Sequence, residues 1–147
     1  MNGEAQIWNR VFAQPRQQAM GEQLYALARL STQALKDYRA LGNKSRRMAL
    51  AAEWEGENLE CLRGMFLLET GREPRILPET SGSCRGREGE CLYRRAMEQM
   101  QTYTALSAQP GYGVAFGEMA RRQAKICEGI LGFLGEEKQK TIKNVRR

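Results

Sequence analysis

Residues 48–71, MALAAEWEGENLECLRGMFLLETG, decide how the rest of the chain folds. Their apolar residues recur at steps of four and three, the period of a helix that buries one stripe in a bundle. That stripe consists of Met48, Ala52, Leu59, Leu62 and Phe66. Glu55 fills the remaining position of the stripe, and a buried carboxylate is costly unless it is paired, hydrogen-bonded or bound to a metal. We therefore expect this helix to build a polar site inside the fold, or to keep the remnant of one.

Length and composition limit the kind of fold and the kinds of catalysis that we can expect. A length of 147 residues predicts one domain with room for a real core. No signal peptide or membrane-spanning run is visible, so we expect a cytoplasmic protein with no membrane partner. Histidine is absent, which excludes Ser–His and Cys–His catalysis and every metal site that needs an imidazole.

The four cysteines form no C-x-x-C pair. We expect them to be free thiols in a reducing compartment, with a loop bridge between two of them as the alternative. The bridge would join Cys84 to Cys91, and Cys61 and Cys127 are the other two cysteines.

The apolar periodicity predicts an all-α fold, an antiparallel four-helix bundle with a long crossover between its second and third helices. We expect a short N-terminal helix over residues 4–13, ended by Pro15, and long helices over 16–41, 44–70, 90–107 and 112–135. The crossover comprises residues 72–90, which mix proline, glycine, serine and charge. Gly71 and Gly135 are the expected stops of the second and fourth helices. The single domain then covers residues 1–135, and residues 136–147 form a basic C-terminal tail.

The two halves of the chain share a pattern at a distance of 68 residues. Applied to the stripe of the second helix, this shift reaches Phe116, Ala120, Gln123, Cys127, Ile130 and Leu134 in the fourth. Every position is apolar in both helices except one, which is Glu55 in the first half and Gln123 in the second. We interpret this as an internal repeat of a helix pair.

Several stretches resemble the rubrerythrins and other ferritin-like proteins. Ala52-x-x-Glu55-x-x-Asn58-x-x-x-Leu62 is similar to that family's Ala-x-x-Glu-x-x-His-x-x-x-Leu helix, and Ala120-x-x-Gln123-x-x-Ile126-x-x-x-Ile130 resembles its second copy. Ser31 precedes Tyr38 by seven residues, as a ligand Glu precedes a Tyr in the family's first helix. Glu98-x-x-x-x-Tyr103 resembles its third helix. The resemblance spans about residues 16–135 and implies the ferritin-like form of the bundle.

In that family two irons lie between the four helices, held by Glu residues and by a Glu-x-x-His on each of two helices. The resemblance places the ligand positions at Ser31, at Glu55 with Asn58, at Arg95 and Glu98, and at Gln123 with Ile126. Only Glu55 and Glu98 keep a carboxylate there. Two carboxylates and an arginine do not suit two dications, so the resemblance implies a dismantled site with a remnant at Glu55 and Glu98. Tyr38 and Tyr103 would lie beside it as core aromatics.

Glu55 has three readings from the sequence. It is an exposed surface charge, it pairs with Arg95 or Arg122, or it belongs to a weak metal or ligand site. We expect it within reach of Arg95, Arg122, Gln123 or Tyr103.

Three functions follow. The first is a ferritin-like bundle that has lost its di-iron centre, needs no cofactor and acts as a binding or structural module, through an unidentified protein partner or a homodimer. The second is a residual peroxidase-like oxidoreductase with iron or manganese at Glu55 and Glu98. The third is a basic helical protein that binds nucleic acid without sequence specificity, since five of the last twelve residues are Lys or Arg but no aromatic residue accompanies them. The missing histidines favour the first.

Overall fold

The computed structural model describes the backbone of residues 2–77, 84 and 89–145, and within these ranges the side chains from residue 19 onward. The described residues form four α-helices and no strand, which confirms the all-α prediction. They are α1 (Asn2–Gly42), α2 (Arg46–Thr70), α3 (Gly89–Leu106) and α4 (Gly113–Val145).

Local signals fix the ends of α2. The Ser45 hydroxyl accepts a hydrogen bond from the Met48 amide at 3.5 Å, in the manner of an N-cap. At the other end Gly71 has a φ of 73°, and its amide donates to the Leu67 carbonyl at 2.8 Å. A residue with a side chain is strained in this left-handed conformation, so glycine is the natural stop, as predicted.

Every helix runs antiparallel to the neighbours it packs against. The Tyr112 hydroxyl donates to Glu69 at 2.9 Å, which places the start of α4 at the end of α2. Gly89 lies against Leu134, so closely that a Cβ on residue 89 would collide with the leucine. The start of α3 therefore lies at the far end of α4. The connection between α2 and α3 must cross the length of the bundle, as the sequence predicts, although residues 78–83 and 85–88 lie outside the described residues.

Burial repeats through the chain with the predicted shift of 68 residues. In the predicted stripe of α2, the buried positions 48, 55, 59 and 62 correspond to buried positions 116, 123, 127 and 130 of α4. The half-buried positions 52 and 66 correspond to half-buried 120 and 134. The same shift relates α1 to α3, where positions 24, 28, 31, 35 and 38 and positions 92, 96, 99, 103 and 106 are all buried. Glu55 and Gln123 both face the interior, as the repeat requires.

Two predicted helix ends are wrong. The helix expected over residues 4–13 is not separate, because α1 continues through Pro15. A proline costs one helical hydrogen bond, but helix-forming residues surround it on both sides. The side chains of residues 4–13 lie outside those described. The fourth helix does not stop at Gly135 but continues to Val145.

The exposed extension of α4, residues 136–145, has local reasons to be helical. Glu, Lys and Gln are good helix formers, and Lys140 lies 3.6 Å from Glu137 one turn away. Glu136 accepts a hydrogen bond from Arg47 at 2.9 Å, which ties its first turn to α2. Gly135 has no positive φ and so does not end the helix. The segment expected to be a basic C-terminal tail is a helix as far as Val145, and residues 146–147 lie outside the described part.

The expectation of four free thiols is also wrong. Cys84 and Cys91 form a disulfide with their Cα atoms 5.7 Å apart, while Cys61 and Cys127 are free. Because the crossover returns to the start of α3, it brings Cys84 into the apolar cluster around Leu92. The prediction of a reducing compartment rested on four free thiols, so the disulfide removes that support. None of the helices, over their described residues, has the length and apolarity needed to cross a membrane.

A buried polar centre as the candidate functional site

The apolar core has two parts, and a polar centre separates them. One apolar cluster includes Leu62 and Phe116, and the other includes Met48 and Ile130. Between them every helix contributes at least one fully or almost fully buried polar side chain. These are Ser31 from α1, Glu55 and Asn58 from α2, Gln99 from α3 and Gln123 from α4. The polar centre is therefore built by all four helices, midway along the bundle.

A chain of three hydrogen bonds runs across the polar centre. Asn58 Nδ2 donates to Gln123 Oε1 at 3.1 Å, and Gln123 Nε2 donates to Gln99 Oε1 at 3.1 Å. Gln99 Nε2 then donates to Glu55 Oε1 at 2.8 Å. Each amide accepts at one end and donates at the other, so the bonds all point towards the carboxyl of Glu55. A buried amide network of this kind is stable because its polar groups are paired with one another.

The chain is anchored at its exposed end by Arg122. The guanidinium donates to Asn58 Oδ1 at 3.3 Å and pairs with Glu57 at 2.9 Å. Asn58 also donates to the Met119 carbonyl at 3.2 Å. Arg122 thus links the amide chain to the surface, and does not reach Glu55.

Burial controls the charge of Glu55. Its side chain is 0% exposed, and loss of hydration raises the pKa of the carboxyl from 4.5 to about 7. The hydrogen bond from Gln99, the nearby Ser31 hydroxyl and the positive charge of Arg95 lower the pKa and limit the rise. Glu55 therefore changes its protonation state near neutral pH, inside the bundle.

A buried ion pair lies beside the polar centre. Arg95 Nη1 lies 2.7 Å from Asp37 Oδ2, and the side chains of both residues are almost fully buried. The guanidinium carbon lies 5.7 Å from the centroid of the Tyr38 ring. A buried pair that is this close neutralises both charges, so Arg95 is balanced mainly by Asp37.

The structure brings together most of the positions predicted from the sequence. Ser31, Asn58, Gln123, Tyr38 and Tyr103 are buried at or beside the polar centre, and Arg95 also points inward. Ile126 is buried in the apolar cluster with Met48. Burial raises the pKa of both tyrosines above the ordinary value, which keeps them neutral.

Two predictions about the site are corrected. Glu98 is exposed, and its neighbour Gln99 points inward in its place, so Glu55 and Glu98 form no common site. Of the four partners expected for Glu55, none donates a hydrogen bond to it within the described residues; Gln99 does. The helical register of α3 explains both, since residues 92, 96, 99, 103 and 106 form its buried stripe.

Sequence reasoning missed Gln99 and Asp37. The signal for Gln99 was available, because a shift of 68 residues from Ser31 leads to it. Asp37 gave no comparable signal: its counterpart at position 105 is an exposed alanine, and the ion pair depends on how α1 and α3 pack.

These residues do not fit a di-iron or di-manganese centre. The centre offers one carboxylate, three amides and a hydroxyl, and the guanidinium of Arg95 lies close enough to lower the pKa of that carboxyl. Paired iron or manganese needs several carboxylates or imidazoles to balance its charge. No cluster of three or more Cys, Asp or Glu side chains suited to a metal occurs among the described residues.

Comparison with models of known protein families, with curated proteins and with solved structures finds no match to this chain.

Proposed function

We propose that this chain is a ferritin-like bundle whose di-iron centre has been replaced by a hydrogen-bonded polar centre, and that it acts as a binding or structural module. The chain of hydrogen bonds from Asn58 through Gln123 and Gln99 to Glu55 carries this proposal. It uses the polar groups of the centre to bond helices to one another, so they hold the bundle together instead of holding a reactant.

The chemistry of the centre supports a module over an oxidoreductase. Glu55 is the carboxylate of the centre, and its side chain is fully buried. A catalytic group must contact its substrate, and no part of Glu55 is exposed to one. Cys127 is buried, and burial raises the pKa of its thiol to about 11, which disfavours the reactive thiolate.

The surface supports the binding half of the proposal. Leu68 in the last turn of α2 is 78% exposed, and the adjacent Leu67 is 43% exposed. These two leucines place apolar surface in water, and contact with a partner would bury it. We propose that the partner is another protein or a second copy of this chain.

Metal binding tests the proposal. Thermal unfolding should be followed with and without an excess of Mn²⁺, and anaerobically with Fe²⁺, for the native chain and for Glu55→Gln. A ligand present at a hundred times its Kd stabilises a protein by about 2.7 kcal/mol, which is roughly 5–10 °C in Tm for a chain of this size. We expect no shift beyond about 1 °C in either protein, well below that size. A shift of several degrees that Glu55→Gln abolishes would show a metal at Glu55 and favour the oxidoreductase.

A further inference from the structure

Six buried polar atoms of residues at or beside the polar centre have no hydrogen-bond partner among the described residues. They belong to five residues whose exposed fractions are 5% or less, drawn from three helices. The atoms are Ser31 Oγ, Tyr38 Oη, Glu55 Oε2, Arg95 Nε, Arg95 Nη2 and Tyr103 Oη. The second oxygen of Glu55 therefore lacks the partner that its first oxygen has in Gln99.

These atoms surround one place in the bundle. Beyond the larger effect of burial, the charge of Glu55 raises the pKa of both Tyr38 and Tyr103, and Tyr38 in turn contributes to the raised pKa of Tyr103. Ser31 and Arg95 both lower the pKa of Glu55. The guanidinium carbon of Arg95 also lies 5.7 Å from the centroid of the Tyr38 ring, so the five side chains line the same part of the core. Ser31 lies close enough to Glu55, and Arg95 to Tyr38, to lower the neighbour's pKa as a hydrogen-bond donor does. None of the six atoms completes a hydrogen bond of ordinary geometry, however, so each can still bond to a molecule placed among them.

We infer that the polar centre holds at least one ordered internal water molecule, bound between Glu55 Oε2 and the hydroxyls of Ser31, Tyr38 and Tyr103. Buried polar groups are nearly always paired, and a buried water typically makes about three hydrogen bonds to such groups. A hydroxyl both donates and accepts, as water requires. Arg95 Nε and Nη2 offer further donors on the same side.

Other occupants fit these groups less well. The carboxylate of Glu55 would repel an anion, and the charge of Arg95 is already balanced by Asp37 at 2.7 Å. The guanidinium of Arg95 would repel a cation. A larger neutral molecule has no open way in, since each of the five residues is at most 5% exposed. Water is neutral, small and able to donate and accept.

The sign of a stability change tests the inference. If Tyr103 binds the water, Tyr103→Phe removes a hydrogen bond and leaves the water short of a partner, so the equilibrium constant for unfolding should rise about threefold to tenfold. Tyr38→Phe should act in the same direction. If the hydroxyls have no partner at all, the same substitutions remove an unpaired buried group, and the constant should stay unchanged or fall.

Tyr25→Phe is the matched control. The Tyr25 hydroxyl donates to the Arg75 carbonyl at 3.0 Å and accepts from the Leu77 amide at 3.5 Å, so its loss shows the effect of removing known hydrogen bonds from this protein. Tyr38→Phe and Tyr103→Phe variants that both leave the constant unchanged or lower it, while Tyr25→Phe raises it, would overturn the inference.

Nuclear magnetic resonance on the native chain gives an independent test that does not depend on variants. We expect cross-relaxation between water and the side-chain protons of Ser31 and Tyr103. Its rate should have the sign that a water molecule with a long residence time gives. Its absence at assigned, slowly exchanging positions would overturn the inference. A dry centre leaves the proposed function intact, whereas a bound metal would defeat both.

Discussion

The two halves of the molecule, α1 with α2 and α3 with α4, bury the same positions but differ in the polar residues at the centre. Shifted by 68 residues, Ser31 corresponds to Gln99, Glu55 to Gln123 and Asn58 to Ile126. Tyr38 corresponds to Leu106, and Tyr103 to Leu35. The apolar positions are similar because any well-packed pair of helices satisfies them. The polar positions differ because Glu55 and Asn58 of the first half each bond to a particular amide of the second, Gln99 and Gln123, so these pairs carry the specificity of the centre.

The largest expected effect comes from giving α3 the residue that α1 has at the equivalent position. Arg95→Leu matches Leu27 and leaves the carboxylate of Asp37 buried without its cation. Breaking a buried ion pair from one side costs about 3–5 kcal/mol, which urea unfolding would measure.

A second substitution sharpens that test. Asp37→Ala added to Arg95→Leu matches Ala105 as well and removes both charges, so it should recover most of the lost stability. If Arg95→Leu alone is as stable as the native protein, the pair contributes nothing and Asp37 is not held as described.

The next effect concerns pH and the difference between Glu55 and Gln123. The pKa of Glu55 is about 7 in the folded protein against an ordinary value of 4.5, so between these values the folded state binds more protons than the unfolded state. Stability from this group is complete below about pH 4.5 and is lost as the pH rises through about 7, by at most about 3 kcal/mol.

Glu55→Gln gives the first half the residue of the second and removes this titration. Its amide oxygen can still accept from Gln99. We expect the variant to be more stable than the native protein at pH 8 and about equal at pH 4.5, as followed by unfolding across that range. A difference that does not depend on pH would show that Glu55 is not buried as a titrating group.

The disulfide tests the connection that joins the halves. It closes a loop with a sequence separation of seven, and closing a loop of this length stabilises a protein by roughly 2 kcal/mol. A Cys84→Ser, Cys91→Ser variant should lose about that amount in urea unfolding and keep its helical circular dichroism. Cys61→Ser is the control. Because that thiol is free, the difference in stability between Cys61→Ser and the native chain should be the same with and without reductant. If a dithiol lowers the stability of the double variant as much as that of the native chain, the bridge lies elsewhere.

A smaller effect is expected at Asn58, because the equivalent residue of the second half is the apolar Ile126. Asn58→Ile copies Ile126 and removes the donor to Gln123 Oε1 and to the Met119 carbonyl. The unpaired amide of Gln123 should cost about 1–2 kcal/mol. Gln123→Leu in the same background should recover part of this loss, because it removes the group left unpaired. Strict additivity of the two changes in urea unfolding would contradict the hydrogen bond.

The helices and the crossover could be predicted from the sequence because they rest on periodicity and on turn residues such as Gly71. The repeat also placed Glu55 and Gln123 correctly. The extent of α1 and α4 could not, because Pro15 and Gly135 weaken a helix without always ending it. The hydrogen-bond partners within the polar centre could not be predicted from the sequence either. Whether Glu55 meets Arg95 or Gln99 depends on side-chain directions across two helices, and the sequence pattern contains no information about that geometry.

The smallest expected effect decides the register of α3. Glu98 is exposed and Gln99 is 1% exposed, although the family resemblance points to Glu98 as the inward residue. We expect Glu98→Ala to change stability by less than about 0.5 kcal/mol, as is usual for exposed positions. Gln99→Ala removes both the bond to Glu55 and the bond from Gln123 and opens a cavity between them, so it should cost at least about 2 kcal/mol. Because the two residues are adjacent and both variants place alanine in the same helix, propensity differs little between them and burial decides the outcome. The opposite order of effects in urea unfolding would mean that α3 is rotated by about one residue, and would return Glu98 to the centre as a partner of Glu55.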